Sequence, residues 1–294
     1  MAYVLTFWGT RGSIPSPGGL TARYGGNTPC VSVEYKGGDG SRLLVLDAGT
    51  GIRMLGKQLQ ERGRSEVEVD LLLSHTHWDH IQGLPFFAPL FGGSNAVRVW
   101  GPKQGDVALE SILRRQMEPV VFPVPLDGLA AQLTVQHIEG ESLAIGDFDV
   151  STIRLRHPGN TLGYRLTPKA GGSSLAYVTD NELGPGGEYE VGPGWRADFV
   201  RFLRGADVLV HDSMFTGTEL NQHRGWGHSS FEEAVALAVE AEVKHLVLFH
   251  HRPERDDAAM DELLDAARQM GQAAQKPLAV SAAIEGTELT LDGG

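Results

Sequence analysis

The sequence has one cysteine, Cys30, among 294 residues, and it therefore cannot form an intrachain disulfide. This cysteine lies in the apolar stretch 30–33, where we interpret it as a small buried hydrophobic residue. No apolar run approaches the roughly 18 residues that a membrane-spanning helix needs. The first residues also lack the basic and apolar segments of a signal peptide. These absences predict a cytoplasmic protein that has no membrane partner.

Basic residues are also scarce. Lys and Arg number 25 against 37 Asp and Glu, the net charge is −12, and the sequence contains no run of Lys or Arg. A protein that grips long nucleic acid by its phosphates normally carries the opposite charge or a clear basic stretch. The composition therefore disfavours a long nucleic acid as partner, although a local basic pocket is compatible with it. Hydrophobic residues at 41% and charged residues at 21% are typical of a soluble globular enzyme with a sizeable core.

The densest group of chemically active side chains follows the apolar run 71–73. It contains His75, His77, Asp79 and His80. This group cannot form one helix face, because residues i and i+2 point apart on a helix. We predict a loop at the carboxyl end of a buried strand, where open α/β sheets place their sites. Imidazoles and carboxylates are the usual ligands of zinc and similar ions. Three histidines so close together, in a chain with only 11, argue against a loop that merely faces solvent.

Five other apolar runs also end at a residue of ligand or catalytic type. These residues are Asp47, His157, Asp180, Asp212 and His250. The repetition predicts one polar surface along the carboxyl edges of an α/β sheet system with packed layers. His137, His223 and His245 lack this context, and we interpret them as exposed or locally hydrogen-bonded. His211 points away from Asp212 if the strand continues through both, so one of the two is structural.

The histidine and aspartate pattern resembles the signature of the metallo-β-lactamase superfamily. The pattern reads His75-x-His77-x-Asp79-His80, and His157, Asp180 and His250 follow in the order of that family. The resemblance implies an α/β fold, a four-layer αββα sandwich, as a single hydrolase domain over residues 1–294. It also implies two divalent metal ions, with zinc expected first and manganese or iron as alternatives. The implied ligands are His75, His77 and His157 for the first ion and Asp79, His80 and His250 for the second, with Asp180 bridging the two.

Two further motifs resemble the phosphodiesterase branch of this superfamily, which includes ribonuclease Z. Residues 211–215 resemble its His-Glu-Ala-Thr-Phe motif, and residues 227–230 resemble its Gly-His-Ser-Thr motif. The resemblance implies attack of a metal-bound hydroxide on phosphorus, with Asp79 orienting the nucleophile. His228 would stabilise the phosphoryl oxygens or protonate the leaving alkoxide, and Asp212 would fix the tautomer of His228. Asp47 either accepts a hydrogen bond from a ligand histidine or caps a turn.

The sequence departs from ribonuclease Z in two places. Asp212 stands where that family has Glu, which shortens the reach to His228. The short stretch between His157 and Asp180 has no room for the long arm that ribonuclease Z uses to bind transfer RNA. We therefore expect a small phosphodiester substrate, such as a cyclic nucleotide or a short nucleotide ester. The resemblance also allows a homodimer.

Two alternative functions remain on the same scaffold. One is a thioester or lactone hydrolase or a β-lactamase, which would not need Asp212 and His228 as a pair. The other is a non-catalytic metal-binding or nucleotide-binding module, which has no chemical reason to keep all seven ligand-type residues.

Two apolar, proline-punctuated segments have open roles. Residues 84–91 form either a buried loop or a wall beside the metal loop, and residues 118–125 form a lid or an edge segment. Together they would shape a pocket for a base, with Phe87 and Phe122 as the expected contacts. Residues 181–194 are rich in Gly and Pro, and we expect a surface excursion there.

Overall fold

The structure is a computed structural model, which describes residues 2–36, 42–63, 66–138, 142–185 and 187–292. The strands in these ranges are β1 (Ala2–Gly9), β2 (Cys30–Lys36), β3 (Arg42–Leu46), β4 (Glu68–Leu72), β5 (Ala96–Gly101), β6 (Gln132–His137), β7 (Ser142–Ile145), β8 (Phe148–Arg154), β9 (Leu162–Pro168), β10 (Leu175–Val178), β11 (Val208–Asp212), β12 (His245–Phe249), β13 (Ala279–Ala282) and β14 (Glu288–Asp292). The α-helices are α1 (Ile52–Glu61), α2 (Trp78–Ile81), α3 (Leu109–Gln116), α4 (Trp195–Leu203), α5 (Gly217–Leu220), α6 (Phe231–Glu240) and α7 (Asp257–Ala273).

The strands form two seven-stranded mixed sheets. The order in sheet I is β14-β1-β2-β3-β4-β5-β6, and the order in sheet II is β13-β12-β11-β10-β9-β8-β7. Strands β3 to β6 pair in parallel in sheet I, and strands β10 to β13 do so in sheet II. The remaining pairs are antiparallel. Because parallel strands end at the same edge, each sheet brings several strand ends together.

In the described residues the core has three large clusters, which correspond to the spaces between four layers, and a small fourth cluster of Met214, Phe215 and Leu220. Leu46 of β3, Tyr177 of β10 and Phe249 of β12 pack in the cluster between the two sheets. On the outer face of sheet I, Val45 packs with Ile52 of α1. On the outer face of sheet II, helices α4, α6 and α7 cover the strands in a separate cluster. The central strands are apolar on both faces because both faces are covered. This arrangement confirms the predicted αββα sandwich.

Residues 84–91 form two short 3₁₀ helices, Leu84–Phe86 and Ala88–Phe91, with Phe87 between them. The segment is neither wholly a buried loop nor wholly an exposed wall. Phe87 is fully buried in the core cluster beneath sheet I, so the expectation that it contacts a base is wrong. Phe86 is 57% exposed instead, and its ring meets Phe122 edge-on at a centroid distance of 5.5 Å. The tight turns of a 3₁₀ helix place consecutive side chains on different faces, which alternation cannot predict.

The longest helix in the described part of the chain is α7, with 17 residues. Among the helices described, none has both the length and the apolar character needed to cross a membrane.

Asp70 is a buried carboxylate of β4 that ties three neighbouring strands together. It accepts hydrogen bonds from Arg42 of β3 and from Arg98 and Trp100 of β5. Burial alone would raise the pKa of Asp70, but the hydrogen bonds from Arg98 and Trp100, together with the charges of Arg98 and Arg42, lower it. The folded protein therefore holds this carboxyl ionised at a pH where an unfolded chain begins to protonate it.

We expect Asp70→Asn to lower the free energy of unfolding by about 1–3 kcal/mol at neutral pH, since it weakens hydrogen bonds to buried donors and cations. The folded pKa is depressed, so the stabilisation is present above the ordinary pKa of about 3.9 and is lost as pH falls below it. Urea unfolding of both proteins at pH 7 and at pH 3 measures the difference in stability and its loss at low pH. Equal stability of the two proteins at pH 7 would contradict the prediction.

Candidate metal centre

The predicted site residues meet at one edge of the two sheets. Strand β4 leads into the loop that carries His75 and His77, and Asp79 and His80 follow in the short helix α2 rather than in the predicted loop. Strands β3, β10, β11 and β12 lead to the other residues. These residues are Asp47, His75, His77, Asp79, His80, Asp180, Asp212 and His250, and His157 joins them from the turn between β8 and β9. All but His77 are buried. The edge therefore opens to solvent at His77.

The first group of potential ligands consists of His75, His77, His157 and Asp180. The Nε2 atom of His157 lies 2.9 Å from Nδ1 of His77. The Oδ2 atom of Asp180 lies 3.7 Å from Nε2 of His75 and 3.6 Å from Nε2 of His157. Three imidazole nitrogens and one carboxylate oxygen thus converge on one point.

The second group consists of Asp79, His80, His250 and Asp180. The Oδ2 atom of Asp79 lies 3.2 Å from Nε2 of both His80 and His250. The Oδ1 atom of Asp180 lies 3.2 Å from Nε2 of His80 and 3.1 Å from Nε2 of His250. Asp180 therefore turns one oxygen towards each group, which is the arrangement of a bridging carboxylate.

The chemistry of these donors fits two divalent cations. The buried Nε2 atom of His75 has no hydrogen-bond partner, which is costly unless something else occupies the space in front of it. Burial lowers the pKa of His75 well below its ordinary value, and it lowers the pKa of His157 to about 4. Both imidazoles are then neutral at pH 7, which is the form that binds a metal. Nitrogen and carboxylate oxygen donors suit zinc, manganese or iron.

Neighbouring side chains orient the ligand histidines. Nδ1 of His80 lies 2.9 Å from Oδ2 of Asp47, which also accepts a hydrogen bond from the Tyr177 hydroxyl. The Oγ atom of Ser74 lies 3.0 Å from Nδ1 of His75. Such contacts on Nδ1 fix the ring and leave Nε2 facing the site. Of the two roles considered for Asp47, the structure shows the contact with a ligand histidine.

Three site residues adopt a left-handed backbone conformation that side chains other than Gly rarely adopt. The φ angles are 61° at Asp47, 50° at Asp180 and 59° at His250. Each residue lies just after the end of a strand, where the chain turns sharply into a loop. Such strain costs of order 1–3 kcal/mol per residue and typically marks a functional site.

Asp212 and His228 form a pair beside the two groups. The Oδ2 atom of Asp212 lies 2.7 Å from Nδ1 of His228, so the shorter side chain does reach the histidine. The His228 ring stacks on that of His250 at a centroid distance of 5.1 Å. Burial disfavours the charged imidazole, but the carboxylate of Asp212 outweighs it and raises the pKa of His228 to about 9. The Asp212 carboxylate therefore favours the protonated form of His228.

The remaining histidines with predicted roles lie outside the two groups. His211 is buried, and its Nδ1 faces the Asp212 carbonyl, so His211 is the structural member of that pair. His223 contacts the Glu219 carbonyl through Nδ1, and His245 contacts the Ser281 hydroxyl through Nε2. These two are locally hydrogen-bonded, as the sequence predicts.

Sequence reasoning missed a contribution from the loop after β1. The backbone N–H of Ser13 donates to Oδ2 of Asp79 at 2.8 Å. Gly12 lies so close to His250 that a Cβ there would be 2.5 Å from ring atoms. Arg11 is fully buried, and its guanidinium donates to the carbonyls of Gly25, Arg252 and Arg255. The glycine-rich sequence of this loop predicts turns and gives no sign of the partner.

The expected surface excursion from residue 181 to 194 is also wrong at its start. Asn181 and Glu182 are fully buried. The Asn181 N–H donates to Oδ2 of Asp212, and the Glu182 carboxylate accepts hydrogen bonds from Gly225 and Gly227. Gly and Pro content predicts irregular backbone, but it does not determine whether that backbone is exposed.

Comparisons with known proteins agree with this geometry. A family model described as a β-lactamase superfamily domain matches residues 42–251, well over half of the chain. The chain belongs to the β-lactamase superfamily. A relative, ribonuclease Z from Picrophilus torridus, is 25% identical over an alignment of 306 positions, gaps included, which covers 91% of this chain and 91% of the relative.

Solved structures show the same superfamily fold. The metallo-β-lactamase fold protein YhfI from Bacillus subtilis has a TM-score of 0.70 at 18% identity, covering 99% of this chain and 100% of that one. The short form of human tRNase Z has a TM-score of 0.64 at 21% identity, covering 97% and 98%. These likenesses establish the fold, and the site chemistry rests on the residues described above.

Proposed function

We propose that the protein is a metal-dependent phosphodiesterase that acts on a small phosphodiester, such as a cyclic nucleotide or a short nucleotide ester. The observation that carries this proposal is the Asp212–His228 pair, which lies against two adjoining groups of metal-ligand type. A thioester or lactone hydrolase on the same scaffold has no need of a second proton donor beside its metals.

Two divalent ions in this centre would supply Lewis acidity at phosphorus and a water of lowered pKa. His75, His77 and His157 would hold the first ion, Asp79, His80 and His250 the second, and Asp180 both. The Ser13 N–H holds Asp79 in a fixed orientation by donating a hydrogen bond to its Oδ2. Asp79 can therefore orient the attacking oxygen as well as bind an ion.

His228 would act on the substrate itself. Its Nδ1 faces Asp212, so its Nε2–H is the group left to donate towards the centre. In that position it can donate a hydrogen bond to a phosphoryl oxygen or transfer its proton to the leaving alkoxide. Asp212 is in turn held by the backbone N–H groups of Asn181 and Met214, so the pair is rigid before substrate binds.

The substrate proposal has support of two kinds. The acidic net charge of −12 and the short segment between His157 and Asp180 favour a small ester. Relatives that are named ribonuclease Z argue against our expectation that long nucleic acid is not a partner. A test of the proposed substrate must therefore include RNA.

We expect purified protein loaded with zinc or manganese to hydrolyse bis-p-nitrophenyl phosphate and at least one of a panel of cyclic nucleotides and dinucleotides. We expect slower cleavage of a structured RNA with a 3′ extension. Removing the ions with a chelator should abolish turnover, and adding either ion back should restore it. Hydrolysis of a thioester with no phosphodiester turned over would overturn the proposal, and faster cleavage of the RNA would overturn the small-substrate part of it.

A further inference from the structure

Glu182 is a buried carboxylate that has no role in the proposed mechanism. It is fully buried and lies two residues after Asp180. Burying a carboxylate is costly unless hydrogen bonds or charges compensate. The partners of Glu182 therefore show what it does in the fold.

In the described part of the chain, three groups donate hydrogen bonds to the Glu182 carboxylate. Its Oε2 atom accepts from the N–H of Gly225 at 2.9 Å, from the N–H of Gly227 at 3.1 Å and from the Tyr189 hydroxyl at 2.5 Å. Gly225 and Gly227 have φ angles of 88° and 84°, which are left-handed values suited to glycine. The carboxylate thus fixes the turn formed by residues 225–227.

This turn carries the group that orients His157. The Gly227 carbonyl oxygen lies 2.9 Å from Nδ1 of His157 and accepts a hydrogen bond from the Nδ1–H group. With the proton on Nδ1, the Nε2 lone pair of His157 points at the first group of ligands. Gly227 is also in close contact with that ring, since a Cβ on it would lie 2.2 Å from Nδ1. A shift of the turn would therefore move His157.

The same turn leads directly into His228, and Glu182 is itself held in place. The N–H of Glu182 donates to the carbonyl of Arg156, and the Arg156 N–H donates to the side chain of Asn181. Residues 181–182 therefore lie alongside the residue that precedes His157. The positions of Asp180, His157 and His228 are linked through one buried side chain.

We infer that Glu182 is a positioning residue for the first metal site: by holding residues 225–227, it sets the tautomer and position of His157. This inference rests on the metal centre of the proposed function, but it does not depend on the substrate. Removing the carboxylate leaves the half-buried N–H of Gly225 and the buried N–H of Gly227 without their acceptor, and the turn must then move or admit water.

The test is a titration of metal-free protein with Zn²⁺ in competition with a chromophoric chelator. We expect Glu182→Ala to lower the affinity for one of the two bound ions by about 10- to 100-fold and to leave the affinity for the other nearly unchanged. We expect Glu182→Gln to recover most of the lost affinity, because an amide oxygen in place of Oε2 can accept the same hydrogen bonds. Tyr189→Phe removes one donor of three and should have a smaller effect than Glu182→Ala.

Asp70→Asn is the matched control, because Asp70 is also a buried carboxylate and has no contact with the site. It should lower stability and leave both zinc affinities unchanged. Nitrogen-15 NMR of the metal-free protein gives a second readout. We expect His157 to carry its proton on Nδ1 in the parent and in Glu182→Gln, and to show mixed tautomers in Glu182→Ala.

Wild-type affinity for both ions in Glu182→Ala would overturn the inference. If Glu182→Ala does not fold, Glu182→Asp replaces it, because its side chain is one methylene shorter. Loss of the first ion in Glu182→Asp, with most of the affinity and the His157 tautomer kept in Glu182→Gln, supports the inference. Full affinity in Glu182→Asp overturns it. A protein that shows these effects but cleaves no phosphodiester would refute the proposed function and leave the role of Glu182 standing.

Discussion

Replacing Asp180 with Asn is expected to lower metal content and activity together. Asp180 turns one carboxylate oxygen towards each group of ligands, and the carboxylate is held ionised. Burial would raise its pKa, but the histidines around it, with His250 first, lower the pKa of Asp180 well below the ordinary value. An amide offers one neutral oxygen in place of two charged ones, so it cannot serve both ions.

We expect Asp180→Asn to reduce kcat/KM for bis-p-nitrophenyl phosphate by more than about 100-fold, because even the partners of metal ligands cost about 10- to 100-fold when removed. The metal content of this variant should fall below two ions per chain. Asp70→Asn is again the control, and it should retain both ions and the parent rate. Two ions per chain together with an unchanged rate in Asp180→Asn would contradict the bridging role.

The second large effect is expected for His228→Ala, with a different pattern. His228 pairs with Asp212 and stacks on His250, and these three form a third group of possible ligands; His228 belongs to neither of the two groups that contain Asp180. We expect kcat to fall by about 10²- to 10⁴-fold, the usual contribution of a positioned proton donor, while both ions stay bound. Asp212→Asn should show a smaller loss in the same direction, because the amide can no longer stabilise a protonated His228.

The choice of substrate separates the two roles that His228 can have. If it protonates the leaving alkoxide, the loss in His228→Ala is large for a nucleotide ester and small for p-nitrophenyl esters, whose leaving group needs no proton. If it stabilises the phosphoryl oxygens, the loss is similar for both substrates. His245→Ala provides the matched control, since His245 lies at the opposite end of β12 from His250. A parent-like rate with both substrates in His228→Ala would exclude either role.

The local signature was enough to predict where the site lies. His75, His77, Asp79 and His80 are close in sequence, and the apolar run before them determines a buried strand that must end there. The same rule, an apolar run that stops at a ligand-type residue, found Asp47, Asp180, Asp212 and His250. It works because parallel strands of one sheet share an edge, so strand ends that are distant in sequence become neighbours.

Other features depended on partners that no local pattern identifies. The contact between Ser13 and Asp79 joins segments that are far apart in the chain, and the pairing of Asp47 with Tyr177 joins sheet I to sheet II. Phe86 ends the first short 3₁₀ helix and is exposed, whereas Phe87 lies between the two 3₁₀ helices and is buried in the cluster on the outer face of sheet I.

The sequence by itself determined the strand ends and the chemical types of the site residues, because periodicity and composition are local properties of the chain. The four-layer fold class came from the resemblance of its motifs to a known family. Only the tertiary structure decided that Asp180 faces both groups of ligands, that Asp212 reaches His228 and that Glu182 is buried beneath the turn at Gly227. These are matters of distance and direction between segments. They depend on how two sheets pack, and that packing brings together residues whose own neighbours in the sequence give no sign of the contact.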